Sequence, residues 1–315
     1  MHRYLLRRVA GAVPVVWGAV TVVFLIIRLV PGDALQLFLG TQVEMTPEQM
    51  KELRRVFGLD RPVWEQYVEY LVRVAQGDLG VSLRTARSVR EEIVSRLPVT
   101  AELAVLAVLL GVGLGVPAGV VAATSGKGWA AMMWSVMSLV GLSVPSFWLG
   151  TMLILGSSRL GVRALGTYVP PWEDPGRNLA AMLLPAVALA VGLAASLMRY
   201  VRASVVEVLG REYVRTARAK GLGAGAVLGR HVLRNALIPV VTVVGFQMGY
   251  LLGGAVVIEE VFGLPGMGRL VLSAVLQRDY PMLQGVVLVT AILFVVVNLL
   301  TDVLYGWIDP RIRYD

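Results

Sequence analysis

The sequence predicts an all-α integral membrane protein with six transmembrane helices. Of its 315 residues, 57% are hydrophobic and only 16% are charged, whereas about a quarter of the residues in soluble domains are charged. Six runs contain no charged residue, and each approaches or exceeds the roughly 20 residues with which a helix crosses the hydrocarbon of a bilayer. Basic residues concentrate in alternate connections between these runs, which is typical of multi-span proteins.

The six runs are interpreted as helices because backbone groups in lipid must be hydrogen-bonded within their own segment. The first follows Arg3, Arg7 and Arg8 and is longer than the 7–15 apolar residues typical of a signal peptide, so it is interpreted as a retained span. The predicted spans are Val9–Ile27, Leu103–Gly126, Gly128–Ser158, Asn178–Met198, Asn235–Ile258 and Tyr280–Thr301.

The third run, Gly128–Ser158, is too long for one ordinary span and contains Pro145. Proline removes a helical hydrogen bond and clashes with the preceding turn, so the helix must be disturbed there. Two interpretations stay open at this point. One is a kinked and tilted helix, and the other is a break of the kind that lines permeation paths in membrane proteins.

The distribution of Lys and Arg predicts the orientation. The connection 199–234 has a net charge of +6, and the N-terminal tail carries three arginines and no acid. With six spans, both lie on the same side, while the connections on the opposite side carry −1, +1 and −1. The positive-inside rule therefore places both termini and this basic loop in the cytoplasm. The formal net charge of +8 is then a topology signal and not a nucleic-acid footprint.

Residues 31–98 are too many for a simple connection and predict a small external helical region. Thr46, Pro47 and Gln49 have the spacing of a capping box with proline at the first helical position. Further helical spacings begin at Trp64 and at Val89, and the second could lie along the membrane surface before span 2. The region is interpreted either as a plug that packs on the spans or as a docking surface for an external partner.

Several function classes are disfavoured by what the sequence lacks. There is no cysteine, which excludes disulfides, cysteine-ligated zinc and thiol nucleophiles. A phosphate-binding Walker A loop needs Gly-Lys followed by Ser or Thr, but Gly126-Lys127 is followed by Gly128. The chain is therefore not expected to hydrolyse ATP itself. The predicted spans also hold almost no ionisable residues, which ion-coupled carriers usually need.

The basic loop 199–234 contains the most informative pattern. Tyr213, Ala217 and Gly221 recur at four-residue intervals, which predicts a small apolar face on a helix. Arginines fall on the opposite face, and Gly221 permits a turn into a second short helix, Val227–Arg234. This pattern fits an ordinary basic loop on anionic lipid, and it also fits a surface that another protein approaches closely.

This loop resembles the cytoplasmic loop of binding-protein-dependent ABC importer permeases, in particular the dipeptide/oligopeptide/nickel branch whose subunit has a large first external loop. The resemblance extends over essentially the whole chain. The segments that carry it are Tyr213–Leu222 and Arg230–Pro239, together with Tyr4–Val9, Val30–Asp33, Gly77–Gly80, Leu97–Thr100, Gly253–Ala255, Arg278–Pro281 and Asp309–Tyr314.

In this family the loop forms coupling helices that sit in a cleft of the ATPase subunit. Aligning the family's glycine on Gly221 places its second alanine on Ala217, whereas Arg215 stands in place of the family's glutamate and Thr216 in place of its first alanine. His231 stands in place of an isoleucine and is interpreted as structural. The resemblance implies that the ATPase-coupling residues are Tyr213, Ala217, Arg218, Lys220, Gly221 and Leu222.

The resemblance also implies the function and the partners. We expect a transmembrane subunit of an ATP-driven ABC importer in the cell inner membrane, most similar to importers of di- or oligopeptides. The alternative that the resemblance leaves open is the same architecture importing nickel, glutathione or oligosaccharide. A less favoured alternative is an ion-coupled secondary carrier, and a membrane enzyme is disfavoured because no cluster of acids or histidines is evident.

The expected partners are a second homologous permease subunit, two ABC ATPases that bind ATP and Mg²⁺, an external solute-binding protein and membrane lipid. No cofactor is expected in this chain. The predicted organisation is residues 1–30 as tail and first span, 31–98 as the external region and 99–315 as the permease core. No residues are assigned to a substrate site, although Ser143, Ser146, Asn235, Gln247 and Asn298 are polar candidates whose other expected use is hydrogen bonding between helices.

Overall fold

The computed structural model describes residues 2–29, 46–56, 60–82, 84–126, 128–161 and 167–308. Within these ranges the chain is almost entirely helical. The helices are α1 (His2–Leu29), α2 (Pro47–Val56), α3 (Val63–Ala75), α4 (Val89–Thr124), α5 (Trp129–Ser143), α6 (Ser146–Arg159), α7 (Pro175–Leu209), α8 (Glu212–Ala219), α9 (Ala224–Ala236), α10 (Ile238–Gly254), α11 (Val256–Phe262), α12 (Met267–Leu276) and α13 (Tyr280–Ile308).

The predicted spans coincide with helices. By length and composition, α4, α7 and α13 can each cross a membrane, and the bent pairs α5–α6 and α9–α10 raise the number to five. In α1, the described apolar stretch Ala10–Leu25 is shorter. The prediction of an all-α membrane protein is therefore confirmed, while the sixth span remains a prediction.

Contacts between Cα atoms divide the chain into two compact units. One comprises residues 99–268 with 294–315, and the other comprises residues 2–98 with 269–293. In the first unit, a core of buried apolar side chains is contributed by α4, α7, α11 and the residues directly before and after α11. Its members are Val99, Leu103, Met182, Ala186, Ala188, Ala255, Ile258, Phe262 and Leu264.

Within the first unit, α4 and α7 approach each other at backbone distance. Gly111, Gly115 and Gly119 lie at four-residue spacing on α4 and face α7. A Cβ built on Gly115 would lie 2.6 Å from the carbonyl oxygen of Ala194. Small residues at such spacing allow membrane helices to pack closely, since lipid supplies no hydrophobic drive for helix association.

Replacing Gly115 with valine should therefore damage the fold. Because the added side chain meets backbone atoms that cannot rotate away, we expect a loss of roughly 1–3 kcal/mol in stability and a lower yield of folded protein. The measurement is the thermal unfolding midpoint of the detergent-solubilised protein.

Gly113 provides the matched control for this substitution. It lies on the same helix, it is exposed, and a Cβ built there would meet nothing within 4 Å. Gly113→Val should leave the unfolding midpoint close to that of the unmodified protein. Equal effects of the two substitutions would contradict a close approach at Gly115.

The start of α7 is fixed by polar contacts. Asp174 accepts a hydrogen bond from the backbone N–H of Arg177 (3.0 Å) and so caps the helix. The Tyr168 hydroxyl, in the preceding loop, donates to Glu102 of α4 (2.9 Å). Burial, then the hydrogen bond to Glu102 and the negative charge of that carboxylate, together raise the pKa of Tyr168 to about 12. The phenol therefore remains protonated and continues to donate this bond throughout the physiological pH range.

In the second unit, the predicted capping box of the external region is confirmed. The backbone N–H of Gln49 donates to the Thr46 hydroxyl (3.3 Å), and that of Thr46 donates to the Gln49 side chain (3.0 Å). Val89 and Ile93 are buried within the chain and form the first turns of α4, and the expectation that this segment lies along the membrane surface stays a prediction. Among the predicted family segments, 30–33 and 309–314 lie outside the described residues.

Hydrogen bonds connect two loops of the second unit. Ser82 is buried and donates a hydrogen bond to the Asp279 carboxylate, which also accepts from the backbone N–H of Met282 at the start of α13. Nearby, Nε of Arg84 donates to the Gln277 carbonyl (2.9 Å). The loop before α4 is thereby attached to the turn between α12 and α13.

Candidate functional site: the basic loop 199–234

The basic loop forms two short helices at the end of α7. After Leu209 the chain turns through Gly210 and Arg211 into α8, and it turns again at Lys220–Gly221 before α9. The central part of α9, Val227–Leu233, is a π-helix, a form that is uncommon and often found at functional positions.

The inner face of α8 is apolar and anchors it to the rest of the first unit. Val214 and Ala217 are buried there, and α8 contacts both α7 and the π-helical part of α9. Val205 of α7 and Val232 of α9 are also fully buried. A displacement of α8 is consequently resisted by side chains that belong to the end of a 35-residue helix.

Tyr213 joins α8 to α9 by hydrogen bonds. The side-chain amide of Asn235 donates to the Tyr213 hydroxyl (3.1 Å), which itself donates to the carbonyl of His231 (3.4 Å). The same amide also donates to that carbonyl (3.0 Å). This carbonyl lies within the π-helix, where the register of backbone bonds is irregular, so the two side chains stabilise the local geometry.

We expect Tyr213→Phe to loosen this connection while keeping the ring in place. Loss of the hydroxyl should cost about 1 kcal/mol, the typical net value of one hydrogen bond, and should lower the thermal unfolding midpoint. Tyr200→Phe is the matched control because Tyr200 lies on α7 with an exposed ring. If both variants unfold at the temperature of the unmodified protein, the hydroxyl contributes nothing to this junction.

The turn after α8 depends on Gly221. Its φ is +79°, a conformation that costs other residues about 1–2 kcal/mol. Its N–H donates to the carbonyl of Arg218 (2.9 Å), which ends the helix in a tight turn. A Cβ built on Gly221 meets nothing within 4 Å. The glycine is thus needed for its backbone conformation, and its outer side is open.

The outer surface of the loop is basic. Arg215 pairs with Glu212 (2.9 Å), and Arg211 pairs with Glu207. No ion pair within the described ranges involves the other exposed cations of this surface, which are Arg218, Lys220, Arg230 and Arg234. Such a surface attracts an acidic partner or anionic lipid headgroups.

The structure separates the residues that the sequence pattern grouped on one face. Helix α8 ends at Ala219, so Gly221 lies in the turn that follows it. Ala217 is 5% exposed and faces its own chain, whereas Gly221, Arg218 and Lys220 are exposed. Ala217 and Gly221 therefore do not lie on one face of a helix, as their spacing predicted, while their role in coupling stays a prediction. The ring of Tyr213 is exposed while its hydroxyl is hydrogen-bonded within the chain, and Leu222 is half-buried.

The disturbance at Pro145 is a break. Helix α5 ends at Ser143, Val144 is extended, and α6 begins at Ser146 with its axis bent by 93°. An open, mainly apolar cavity of about 450 Å³ lies in the bend. It is lined by Leu139, Val140, Ser143, Val144, Pro145, Phe147 and Trp148.

Two of the five polar candidates, Ser143 and Asn235, are hydrogen-bonded within the chain. The Ser143 hydroxyl donates to the Leu139 carbonyl one turn earlier (2.8 Å), and Asn235 is engaged with Tyr213 and His231. In the part of the chain that the structure describes, no group of three histidine, aspartate or glutamate side chains could hold a metal ion.

A buried carboxylate escaped the sequence analysis, which placed Glu259 in a connection. Glu259 lies in α11 and is fully buried. Its carboxylate accepts a hydrogen bond from the Thr100 hydroxyl (2.6 Å), and that hydroxyl accepts one from the backbone N–H of Met267 at the start of α12 (2.8 Å). A Cβ on Gly266 would collide with the same carboxylate. The one indication of this contact in the sequence is that an acidic residue directly follows a predicted span.

Comparisons with known protein families place the chain among transport components. Residues 115–314 match the model of the binding-protein-dependent transport system inner membrane component, and residues 1–104 match the N-terminal model of the same kind of component.

Curated relatives resemble the chain along its whole length. The dipeptide transport system permease protein DppB of Alkalihalophilus pseudofirmus is 39% identical, and the alignment covers 100% of both chains. DppB of Escherichia coli K12 is 37% identical over 100% of this chain and 99% of its own. A putative peptide transport system permease protein of Brucella suis is 41% identical over 100% of both.

Solved structures show a similar fold at low sequence identity. An inward-facing form of the MetNI methionine ABC transporter matches with a TM-score of 0.58 and 17% identity over 69% of this chain and 96% of its own. An amino acid ABC transporter with histidines matches with a TM-score of 0.51 and 18% identity over 70% of this chain and 94% of its own.

Proposed function

This chain belongs to the family of binding-protein-dependent transport system inner membrane components, and we propose that it carries di- or oligopeptides across the cell inner membrane. It is a membrane-embedded permease subunit of an ABC importer and not an enzyme. The observation that supports peptide cargo is the set of relatives 37–41% identical over the full chain that are named as dipeptide or peptide permeases.

The proposed assembly contains a second homologous permease subunit, two ATPase subunits that bind ATP and Mg²⁺, and an external solute-binding protein. In this arrangement both termini and the loop 199–234 face the cytoplasm, in agreement with the positive-inside rule. Lipid surrounds the apolar faces of the spans. No nucleic acid takes part, since the basic residues serve orientation and contact with the ATPase.

The coupling surface proposed for the ATPase is the outer side of the basic loop. Arg218, Lys220 and Gly221 form it directly because they are exposed, and Leu222 lies at its edge. Ala217 and Tyr213 support it from within, the first by packing and the second by its hydrogen bonds to α9. An ATPase can shift the permease between two states only through contacts that differ between those states.

The packing around α7 offers a route for this shift. α8 and α9 pack on the end of α7, and α7 contacts both arms of the broken pair α5–α6. Close approach of α5 and α7 at Gly141 and Ala195 makes this contact tight. In the proposed mechanism, closure of the ATPase pair moves α8, α7 moves with it, and the break at Pro145 changes its opening toward the substrate path.

The experiment that tests the function uses the complete transporter reconstituted in liposomes, with the binding protein on the outside and ATP inside. We expect uptake of a labelled dipeptide that requires ATP and stops when ATP is replaced by a non-hydrolysable analogue. Nickel, glutathione and an oligosaccharide, each offered with its own label, test the alternative cargoes. Uptake without nucleotide under an ion gradient would instead identify a secondary carrier.

A further inference from the structure

Helix α3 carries more apolar surface than the protein covers. At about 100° per residue, Trp64, Val68, Val72 and Ala75 fall within one stripe of the helix. Trp64 is 67% exposed, Val68 52% and Val72 51%. An exposed apolar stripe along about three turns of the helix marks a contact with another apolar phase or with a partner.

The neighbouring face of α3 packs against α1 in the same unit. The ring of Phe24 lies 5.0 Å from that of Tyr67 and 5.6 Å from that of Tyr70, measured between centroids. The hydroxyls of Thr21 and Tyr67 are hydrogen-bonded at 2.6 Å. The Phe24 side chain is only 2% exposed. The position of α3 along α1 is therefore fixed.

With α1 as the predicted first span, this contact sets the depth of α3 in the membrane. The apolar run of α1 ends at Ile27, so Phe24 and Thr21 lie about 4.5 and 9 Å inside its end at a rise of 1.5 Å per residue. Amphipathic helices that lie in the plane of a membrane are buried by roughly 5–10 Å. Helix α3 thus lies at the depth of an interfacial helix.

The remaining face of α3 is polar, as such a helix requires. Glu69 pairs with Arg61 (3.2 Å) and with Arg73, and the side chains of these residues are 39%, 56% and 55% exposed. At the same level of α1, Val22 and Leu25 are also exposed. The exposed apolar surface of the span therefore continues onto α3 at one depth, while the ion pairs lie on the side away from the hydrocarbon.

We propose that α3 is an interfacial helix embedded in the outer leaflet, with its stripe against lipid acyl chains and Trp64 near the headgroups. Tryptophan is enriched at this level because its ring is apolar and its N–H is polar. Part of the external region is then a lipid-bound anchor for the first span, and only the rest is available to a soluble partner. The inference does not depend on which solute is carried.

The chain offers a clean test because it contains no cysteine. Single cysteines are introduced as Val68→Cys and Val72→Cys, labelled with a nitroxide, and studied in the complete transporter in liposomes. Relaxation by oxygen reports contact with acyl chains, and relaxation by a water-soluble nickel chelate reports contact with water. Val22→Cys on α1 is the lipid-facing reference, and Gln76→Cys, at the exposed end of α3, is the water-facing reference.

At positions 68 and 72, as at 22, we expect oxygen to relax the nitroxide more strongly than the nickel chelate does. At position 76 we expect the nickel chelate to relax it more strongly. Stronger relaxation by nickel at 68 and 72 would place the stripe in water, where a soluble partner could bind it, and would overturn the proposal. Weak relaxation by both reagents would show that protein covers the stripe, which also overturns it. If position 22 is itself water-accessible, the first span is misplaced and the proposed depth fails with it.

Discussion

Gly221→Asp should abolish ATP-driven uptake by the assembled transporter while leaving the amount of complex unchanged. Gly221 is exposed and directly follows Lys220, and Arg218 and Lys220 are exposed cations of the same loop. A carboxylate there lowers the positive charge presented to the proposed ATPase contact, and like charges that meet at an interface cost several kcal/mol. Uptake of labelled peptide into liposomes should fall at least about tenfold, since 1.4 kcal/mol already corresponds to that factor.

The matched control is Gly221→Asn, which has nearly the same shape and no charge. Asparagine and aspartate both tolerate the left-handed backbone conformation better than other residues, so the pair isolates the charge from the φ of +79°. We expect the asparagine variant to retain most of the uptake. A similar loss in both variants would assign the effect to the turn itself, and normal uptake by Gly221→Asp would remove this surface from energy coupling.

Glu259→Ala should be the most damaging single substitution in the core of the first unit. It deletes the acceptor of the Thr100 hydroxyl and leaves a cavity beside the start of α12, because Glu259 is fully buried. Loss of a buried hydrogen bond to a carboxylate together with the cavity predicts a decrease of roughly 2–4 kcal/mol in stability. The thermal unfolding midpoint and the yield of assembled complex measure it.

Three further variants test this expectation. Glu260→Ala changes the exposed neighbour and should have little effect, because ion pairs of exposed carboxylates contribute little to stability. Glu259→Gln retains an acceptor for Thr100 and should lie between. Gly266→Ala should destabilise the protein because its Cβ meets the Glu259 carboxylate, and it should do so less when Glu259 is already alanine. Strictly additive effects in this double-mutant cycle would mean that the two residues do not interact.

The sequence predicted those features that depend on neighbouring residues. Charge-free runs located the helices, and Thr46 with Gln49 predicted a capping box that is present in full. Gly221 indicated the turn, because few other residues adopt its backbone conformation. Each of these signals is contained within a few residues of the chain, so no knowledge of the tertiary packing was needed.

Features that depend on distant contacts could not be predicted in this way. The partner of Glu259 is Thr100, which lies 159 residues earlier, and no periodicity reports such a pair. The spacing of Tyr213, Ala217 and Gly221 correctly indicated a helix, but which side faces inward is decided by burial of Val214 against α9. Proline at 145 is compatible with a kink or a break, and the extended backbone of Val144 decides for the break.

The glycine contacts between α4 and α7 determine where the permease can bend. Since Gly115 lies against the backbone of Ala194 and Gly119 against Val201, sliding one helix along the other would drive side chains into these gaps. The two helices should therefore move as a single rigid body. Hinges must then lie elsewhere, at the break between α5 and α6 and at the 48° bend between α9 and α10, and a crosslink across either should arrest the transport cycle.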